Sequence, residues 1–203
     1  MLTAPSLIAE LDVSLAAAPA SWRHDVLRRI VDLFLGNVER YADDHVDLFD
    51  DVICRLIVNI ERAPLVELSN RLAPVAKAPV KVVGTLARHR DPAIYGPVLV
   101  RARALPDHDL VEIAGREQTN LDALTKIAAR AHLSEAVTDA LLKNGNPGIR
   151  SAVVANASAR ISEMGYARLV AGLGGDKKLA AAIAARDNVP AELQPFLATA
   201  LNS

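Results

Sequence analysis

A chain of 203 residues, 51% hydrophobic and 23% charged, has material for one domain or two small ones and is too apolar for a disordered tail. Aromatic residues are only 3%, so a core of Ala, Leu, Val and Ile is expected, which suits closely packed helices better than stacked sheets. The net charge of −1 conceals a division: residues 1–70 carry 6 Lys+Arg against 12 Asp+Glu, and residues 71–203 carry 17 against 12. Such a split bears on partners more than on fold.

In chain order, the first expected element is a short helix from Pro5 to about Leu15, with Leu7, Ile8, Leu11 and Leu15 on one stripe. No Lys or Arg precedes Arg23, so the Ala-rich stretch that follows lacks the basic start of a secretory signal. No uncharged run approaches the roughly 18 residues of a membrane span. A cytoplasmic location without membrane association is the expectation, and the single cysteine, Cys54, agrees with a reducing compartment. Cys54 lies in an apolar helical run and reads as a small buried hydrophobe rather than a reactive thiol.

Ala18-Pro19-Ala20 breaks the first helix, and Ser21 is a candidate N-cap for a second, Trp22 to about Gly36. Its stripe is Val26, Ile30 and Leu33, with Leu27, Val31 and Phe34 beside it. A third helix is expected from Tyr41 to about Arg62, burying Val46, Phe49, Ile53, Leu56, Ile57 and Ile60. Its N-terminal half holds Asp43, Asp44, Asp47, Asp50 and Asp51, with His45 close by. Carboxylates on one helix climb about 1.5 Å per residue, so a metal cage needs ligands from a second helix, and no Glu-x-x-His or His-x-x-x-His supplies them. Asp43 and Asp44 are therefore expected to complement the helix N-terminus, the others to face water or a partner. Pro64, Pro74 and Pro79 then divide residues 64–90 into two short helices, a first degenerate hairpin.

The strongest signal is a repeat. Leu105, Leu133, Ile161 and Val189 stand 28 residues apart, each followed by a helix-starting residue: Pro106, Ser134, Ser162 and Pro190. Eight positions after each comes Ile113, Leu141, Leu169 or Leu197. A second series alternates with it: Asp91-Pro92-Ala93-Ile94 resembles Asn146-Pro147-Gly148-Ile149, and Ile127-Ala128-Ala129-Arg130 recurs as Ile183-Ala184-Ala185-Arg186. Two helices per unit, each unable to bury its apolar side alone, imply hairpins stacked into one core. The expected architecture is all-α: an N-terminal helical bundle over residues 1–63, then a HEAT-like helical-hairpin solenoid over residues 64–203 with a right-handed superhelix. One continuous domain is the alternative. Gly96-Pro97 is expected to kink or restart its helix.

Three stretches resemble a known family: Arg40 to Ile60 with Asp-Asp-His-Val-Asp-Leu-Phe-Asp-Asp-Val, Leu72-Ala73-Pro74-Val75-Ala76, and Val137-Thr138-Asp139-Ala140-Leu141. They are similar to an uncharacterised alphaproteobacterial family, domain-of-unknown-function family 2336. The resemblance covers most of the chain and implies a bacterial cytoplasmic protein with HEAT-like repeats. It brings no activity and no catalytic residues.

The chemistry-bearing residues form no assembled site by spacing. His24, His45, His89, His108 and His132 are scattered; His108 and His132, one repeat apart, are about 10 Å from each other, too far for a shared zinc. Gly172-Leu173-Gly174-Gly175 follows no strand and reads as a helix cap and turn rather than a phosphate loop. No nucleophile, base and orienter fall together, so no catalytic residue, cofactor or metal is assigned. Arg101, Arg103, Arg130, Arg160 and Arg186 recur near one set of turns. They can form a basic ladder for nucleic acid, or can complement helix C-termini and pair with acids opening the next helix. Few aromatics are available beyond residue 71 for base stacking, which favours the second account. The expectation is a non-enzymatic interaction scaffold or adaptor for an unidentified protein partner, with self-association open. Its candidate surface is Asp43, Asp44, Asp47, Asp51, Arg101, Arg130 and Arg186. The alternative is a nucleic-acid-binding module working through the basic C-terminal half.

Overall fold

The computed structural model describes residues 19–116 and 120–202. The expected helix over Pro5 to Leu15 lies outside the described residues. The protein is all-α, and no strand occurs among the described residues; Leu133 and Ala159 form an isolated parallel bridge. The chain divides into two units, residues up to 98 with 102–104, and residues 99–101 with 105 onward.

In the first unit, α1 spans Ala20–Asn37, α2 Asp43–Leu56, α3 Arg62–Leu72 and α4 Val80–Ala87. A 3-10 turn, Val38–Arg40, links α1 to α2. The N-cap of α1 is Pro19, so Ser21 sits inside the first turn rather than capping it. Leu27, Val31 and Phe34 form the buried stripe of α1, whereas Leu33 is 56% exposed. The i, i+4 and i, i+3 spacings suit both stripes equally, and only packing against α2 decides between them. Phe34, Tyr41 and Phe49 cluster where α1 meets α2, with ring centroids 5.2 to 6.1 Å apart. The third helix expected to reach Arg62 ends at Leu56. Asn59 adopts a left-handed φ of 56°, which no α-helix continues, and α3 starts afresh at Arg62. Contacts run α1 to α2, α2 to α4 and α3 to α4.

Helix α5, Pro92–Arg101, starts in the first unit, and its Leu99–Arg101 group with the second. It runs through Pro97 without a break, although proline removes the N–H that Ala93 would otherwise accept. Its uncharged face is internal: Ile94, Tyr95, Val98 and Leu99 are all 2% exposed or less. Asp91 caps it, accepting from Ala93 N at 2.9 Å. On its other side Ser69 Oγ donates to Ile94 O at 2.5 Å, tying α3 to the first turn of α5.

The second unit continues with α6 Asp107–Arg116, α7 Leu121–Ala128, α8 Glu135–Leu142, α9 Pro147–Ala155, α10 Glu163–Ala171, α11 Lys177–Ala184 and α12 Gln194–Asn202. Helices α6, α8 and α10 begin one residue after Pro106, Ser134 and Ser162. After Pro190 a 3-10 turn, Ala191–Leu193, leads into α12. Leu105, Leu133 and Ile161 are buried, as are Ile113, Leu141, Leu169 and Leu197. Alternate helices contact one another, α6 with α8 and α8 with α10 in one row, α7 with α9 and α9 with α11 in the other. The caps explain why these short helices begin where they do. Ser134 and Ser162 accept from Val137 N at 3.4 Å and Gly165 N at 2.9 Å. Asn120, Asn146 and Asp176 do the same for α7, α9 and α11. Gly165 is held to glycine by packing: a Cβ there would stand 2.9 Å from both Asp139 Oδ1 and Ile161 Cγ2.

Leu133 is 2% exposed beneath this row. Leu133→Ala is expected to destabilise the protein by about 2–5 kcal/mol, as buried leucine truncations do. Urea unfolding checks this, and a midpoint equal to the parent's would refute the register.

Candidate functional site

The acidic helix α2 separates into roles that its sequence does not distinguish. Asp43, Asp44 and Asp47 are exposed, Asp43 and Asp44 in the first turn where the helix dipole favours a negative charge. Asp44 Oδ1 accepts from His45 N at 2.9 Å. Asp51 pairs with Lys81 Nζ at 2.7 Å, and that hydrogen bond holds the Asp51 carboxyl below its usual range while raising the lysine. Asp50 was expected at the surface and is instead 3% exposed. Its two oxygens each accept a hydrogen bond from the N-terminus of α4, Oδ2 from Lys81 N at 2.8 Å and Oδ1 from Val82 N at 2.8 Å. The N-cap of α4 is Pro79, which has no side-chain acceptor, and Asp50 supplies the cap from another helix. The sequence carries no signal that sets Asp50 apart, since α1 also follows an Ala-Pro pair and has no side-chain cap.

Cys54, one turn beyond Asp50, is half-buried with its Sγ 3.8 Å from Asp50 Oδ1. Burial first, and then the adjacent Asp50 carboxylate, push its thiol up to about 11. A thiol whose folded pKa is raised favours the folded state below its unfolded value and loses that contribution as pH climbs from about 9 to about 11.

In the first unit Arg62 and Asp91 form a two-pronged ion pair, Arg62 Nε and Nη2 each donating to a different Asp91 oxygen. This bond holds the Asp91 carboxyl below its ordinary range and raises Arg62. Arg71 pairs with Asp32 at 2.5 Å and with Glu67 at 3.6 Å.

Three arginines of the second unit, Arg130, Arg150 and Arg186, reach carbonyls at helix ends and in the adjoining turns. Arg130, 8% exposed, donates through Nη1 to Leu99 O at 2.7 Å, and burial lowers its pKa. Arg186, 56 residues on, donates from Nη1 to Val154 O at 2.9 Å and Asn156 O at 3.0 Å, and from Nη2 to Ala159 O at 2.5 Å. Between them Asn156 Nδ2 reaches Ala128 O and Arg130 O, both at 2.8 Å. These carbonyls close helices α5, α7 and α9, whose last four C=O groups have no partner within the helix. On the opposite ends of the helices, Arg150 donates to Gly172 O and, at 2.9 Å, to Gly145 O. Arg101 and Arg160 are exposed, Arg160 pairing with Glu135 at 3.3 Å. The four aspartates lie in the first unit, Arg101 is outward in the second, and Arg130 and Arg186 are engaged with backbone.

Among the described residues no group of three His, Cys, Asp or Glu side chains is placed to hold a metal ion, and no helix is long and apolar enough to cross a membrane. The fold and these contacts define a class: an all-helical protein of short helices whose ends are closed by side chains from neighbouring turns. The chain belongs to a family described as an uncharacterised protein conserved in bacteria (DUF2336), whose model matches residues 94–202. The stretch Val137–Leu141 falls inside that match, while Arg40–Ile60 and Leu72–Ala76 precede it. No curated protein and no solved structure matches the chain.

Asp50→Ala orphans two amides at the start of α4 and is expected to destabilise the protein by about 2–4 kcal/mol, whereas exposed Asp47→Ala changes stability by less than about 0.5 kcal/mol. Paired thermal or urea melts check the contrast. Cys54 alkylation by iodoacetamide at pH 8 is expected to run about a hundredfold slower in folded than in unfolded protein, because so little thiolate is present. Equal rates would contradict the raised thiol.

Proposed function

We propose that the chain is a non-enzymatic protein-interaction scaffold or adaptor whose C-terminal part is a HEAT-like array of helical hairpins acting in the bacterial cytoplasm. The observation that carries this reading is the two-row packing of the second unit, α6–α8–α10 against α7–α9–α11. Arrays of this kind present long surfaces to partners without needing a catalytic cleft. Inward use of Arg130, Arg150 and Arg186 supports the reading, since it accounts for part of the basic excess without an anionic ligand. Large apolar side chains are also left at the surface: Leu121, Met164 and Phe196 in the second unit, Trp22, Leu33 and Leu48 in the first. Exposed aromatic and methionine side chains are favoured anchors in protein interfaces.

The competing reading, nucleic-acid binding, draws on the remaining positive charge of residues 71–203. The discriminating experiment couples affinity capture from the native bacterium with fluorescence-anisotropy titration of random oligonucleotides at two salt concentrations. A scaffold is expected to retain a protein partner that Met164→Glu, Phe196→Glu or Asp47→Lys releases while circular dichroism is unchanged, and to bind oligonucleotides negligibly at physiological salt. Micromolar oligonucleotide binding that collapses with salt, and that Arg101→Ala weakens, would overturn the proposal. So would a capture in which none of the three variants alters what is retained.

A further inference from the structure

We infer that the C-terminal hairpin, α11 with α12, is a separately opening element of the second unit, pivoting at Gly174–Gly175 and latched shut by Arg186.

The stationary side of the pivot is pinned. Arg150 donates to Gly172 O, the residue that ends α10, and to Gly145 O in the loop before α9, so α10's end is tied to its neighbours. Immediately beyond, Gly174 and Gly175 adopt φ values of 54° and 86°, a left-handed pair that glycine holds and leaves at little cost. Both are exposed, and a Cβ on Gly175 would meet nothing within 4 Å. No neighbour packs on Gly175, and rotation there has to break the turn's hydrogen bond, Asp176 N donating to Leu173 O at 2.8 Å across the glycine pair.

The far end of the moving side is thinly anchored by apolar contact. Helix α11 buries Leu179, Ala180 and Ile183, as many residues as α6, α9 and α10 do, whereas α12 buries Leu197 alone. Two recesses of about 340 and about 400 Å³ flank the turn after α11, one between it and α12, the other between it and the end of α9. Low local burial is what sets a segment's opening free energy below the global one.

The latch crosses from the moving side to the stationary one. Besides Val154 O, Asn156 O and Ala159 O, Arg186 reaches Tyr166 Oη through Nε at 3.3 Å. Tyr166, on α10 and 1% exposed, donates its hydroxyl to Asn188 Oδ1 at 2.6 Å, so the turn that follows α11 is held at two points. The repeat-equivalent Arg130 is braced differently: its own turn is gripped in addition by Asn156, which donates to Ala128 O and Arg130 O. Opening releases the carbonyls into recesses open to water and uncovers the apolar side of α11.

Hydrogen–deuterium exchange of the full chain, read by mass spectrometry, tests this with the parent, Arg186→Lys and Tyr166→Phe. Lysine keeps the charge but cannot span three carbonyls and a phenol. The latch predicts about tenfold faster exchange at α11 amides in Arg186→Lys and about threefold in Tyr166→Phe, with amides of α7 and α8 changing less than about twofold. In the parent, α11 exchange is expected to rise only weakly with sub-denaturing urea, because a small opening exposes little surface. Equal acceleration across all helices of the unit would overturn the proposal and make Arg186 a contributor to global stability only. No acceleration at α11 would also overturn it. Should Arg186→Lys fail to fold, the parent alone decides: a urea dependence at α11 as steep as at α8 refutes a separate opening.

Discussion

Everything in this protein answers to the unmet hydrogen bonds at helix ends. An α-helix leaves four amides and four carbonyls without internal partners, whatever its length. For helices of eight to ten residues, such as α7 to α11, the ends are as numerous as the middles. Buried ends without partners cost more than such short helices gain from propensity, and each of α7 to α11 draws on a side-chain cap. Amino ends are mostly supplied locally, by Asp91, Asn120, Ser134, Asn146, Ser162 and Asp176 within three positions of the amide. Carboxyl ends are supplied from afar, Arg130, Asn156 and Arg186 reaching carbonyls 26 to 32 residues earlier. Each such bond joins one helix to the next in its row, so satisfying the backbone and stacking the helices are one act.

The charge pattern takes a different meaning in this light. A guanidinium presents several donors in a fixed plane, which makes arginine suited to gathering two or three carbonyls at a helix end where lysine is not. Part of the basic character of the C-terminal residues is therefore structural. The acidic character of α2 is divided likewise: Asp50 closes α4, Asp51 meets Lys81, and Asp43, Asp44 and Asp47 remain in water. What is left outward is a mixed surface with isolated apolar side chains.

How much of this was legible depended on distance along the chain. The ladder of Leu105, Leu133 and Ile161 and the helix starts behind it were readable, because the period of a helix and the reach of a cap involve residues within four positions of each other. The placement of α1 was only half readable: Val26, Ile30 and Leu33 fit a stripe as well as Leu27, Val31 and Phe34 do, and the neighbour helix chose the second. The break after Leu56 was hidden because it turns on one left-handed residue, Asn59, in an otherwise helical pattern.

The amino-acid sequence by itself determined that the chain is helical, where α6, α8 and α10 begin, and that Leu105, Leu133 and Ile161 line the core of the second unit. Those properties follow from local periodicity and from side chains bonding their own backbone. Only the tertiary structure decided what the charged residues do. Arg130 and Arg186 look like surface cations in an Ala-Ala-Arg turn, and Asp50 looks like one of five equivalent aspartates. Each is set apart by an acceptor or donor some thirty residues away, and packing alone brings such a partner within hydrogen-bond reach.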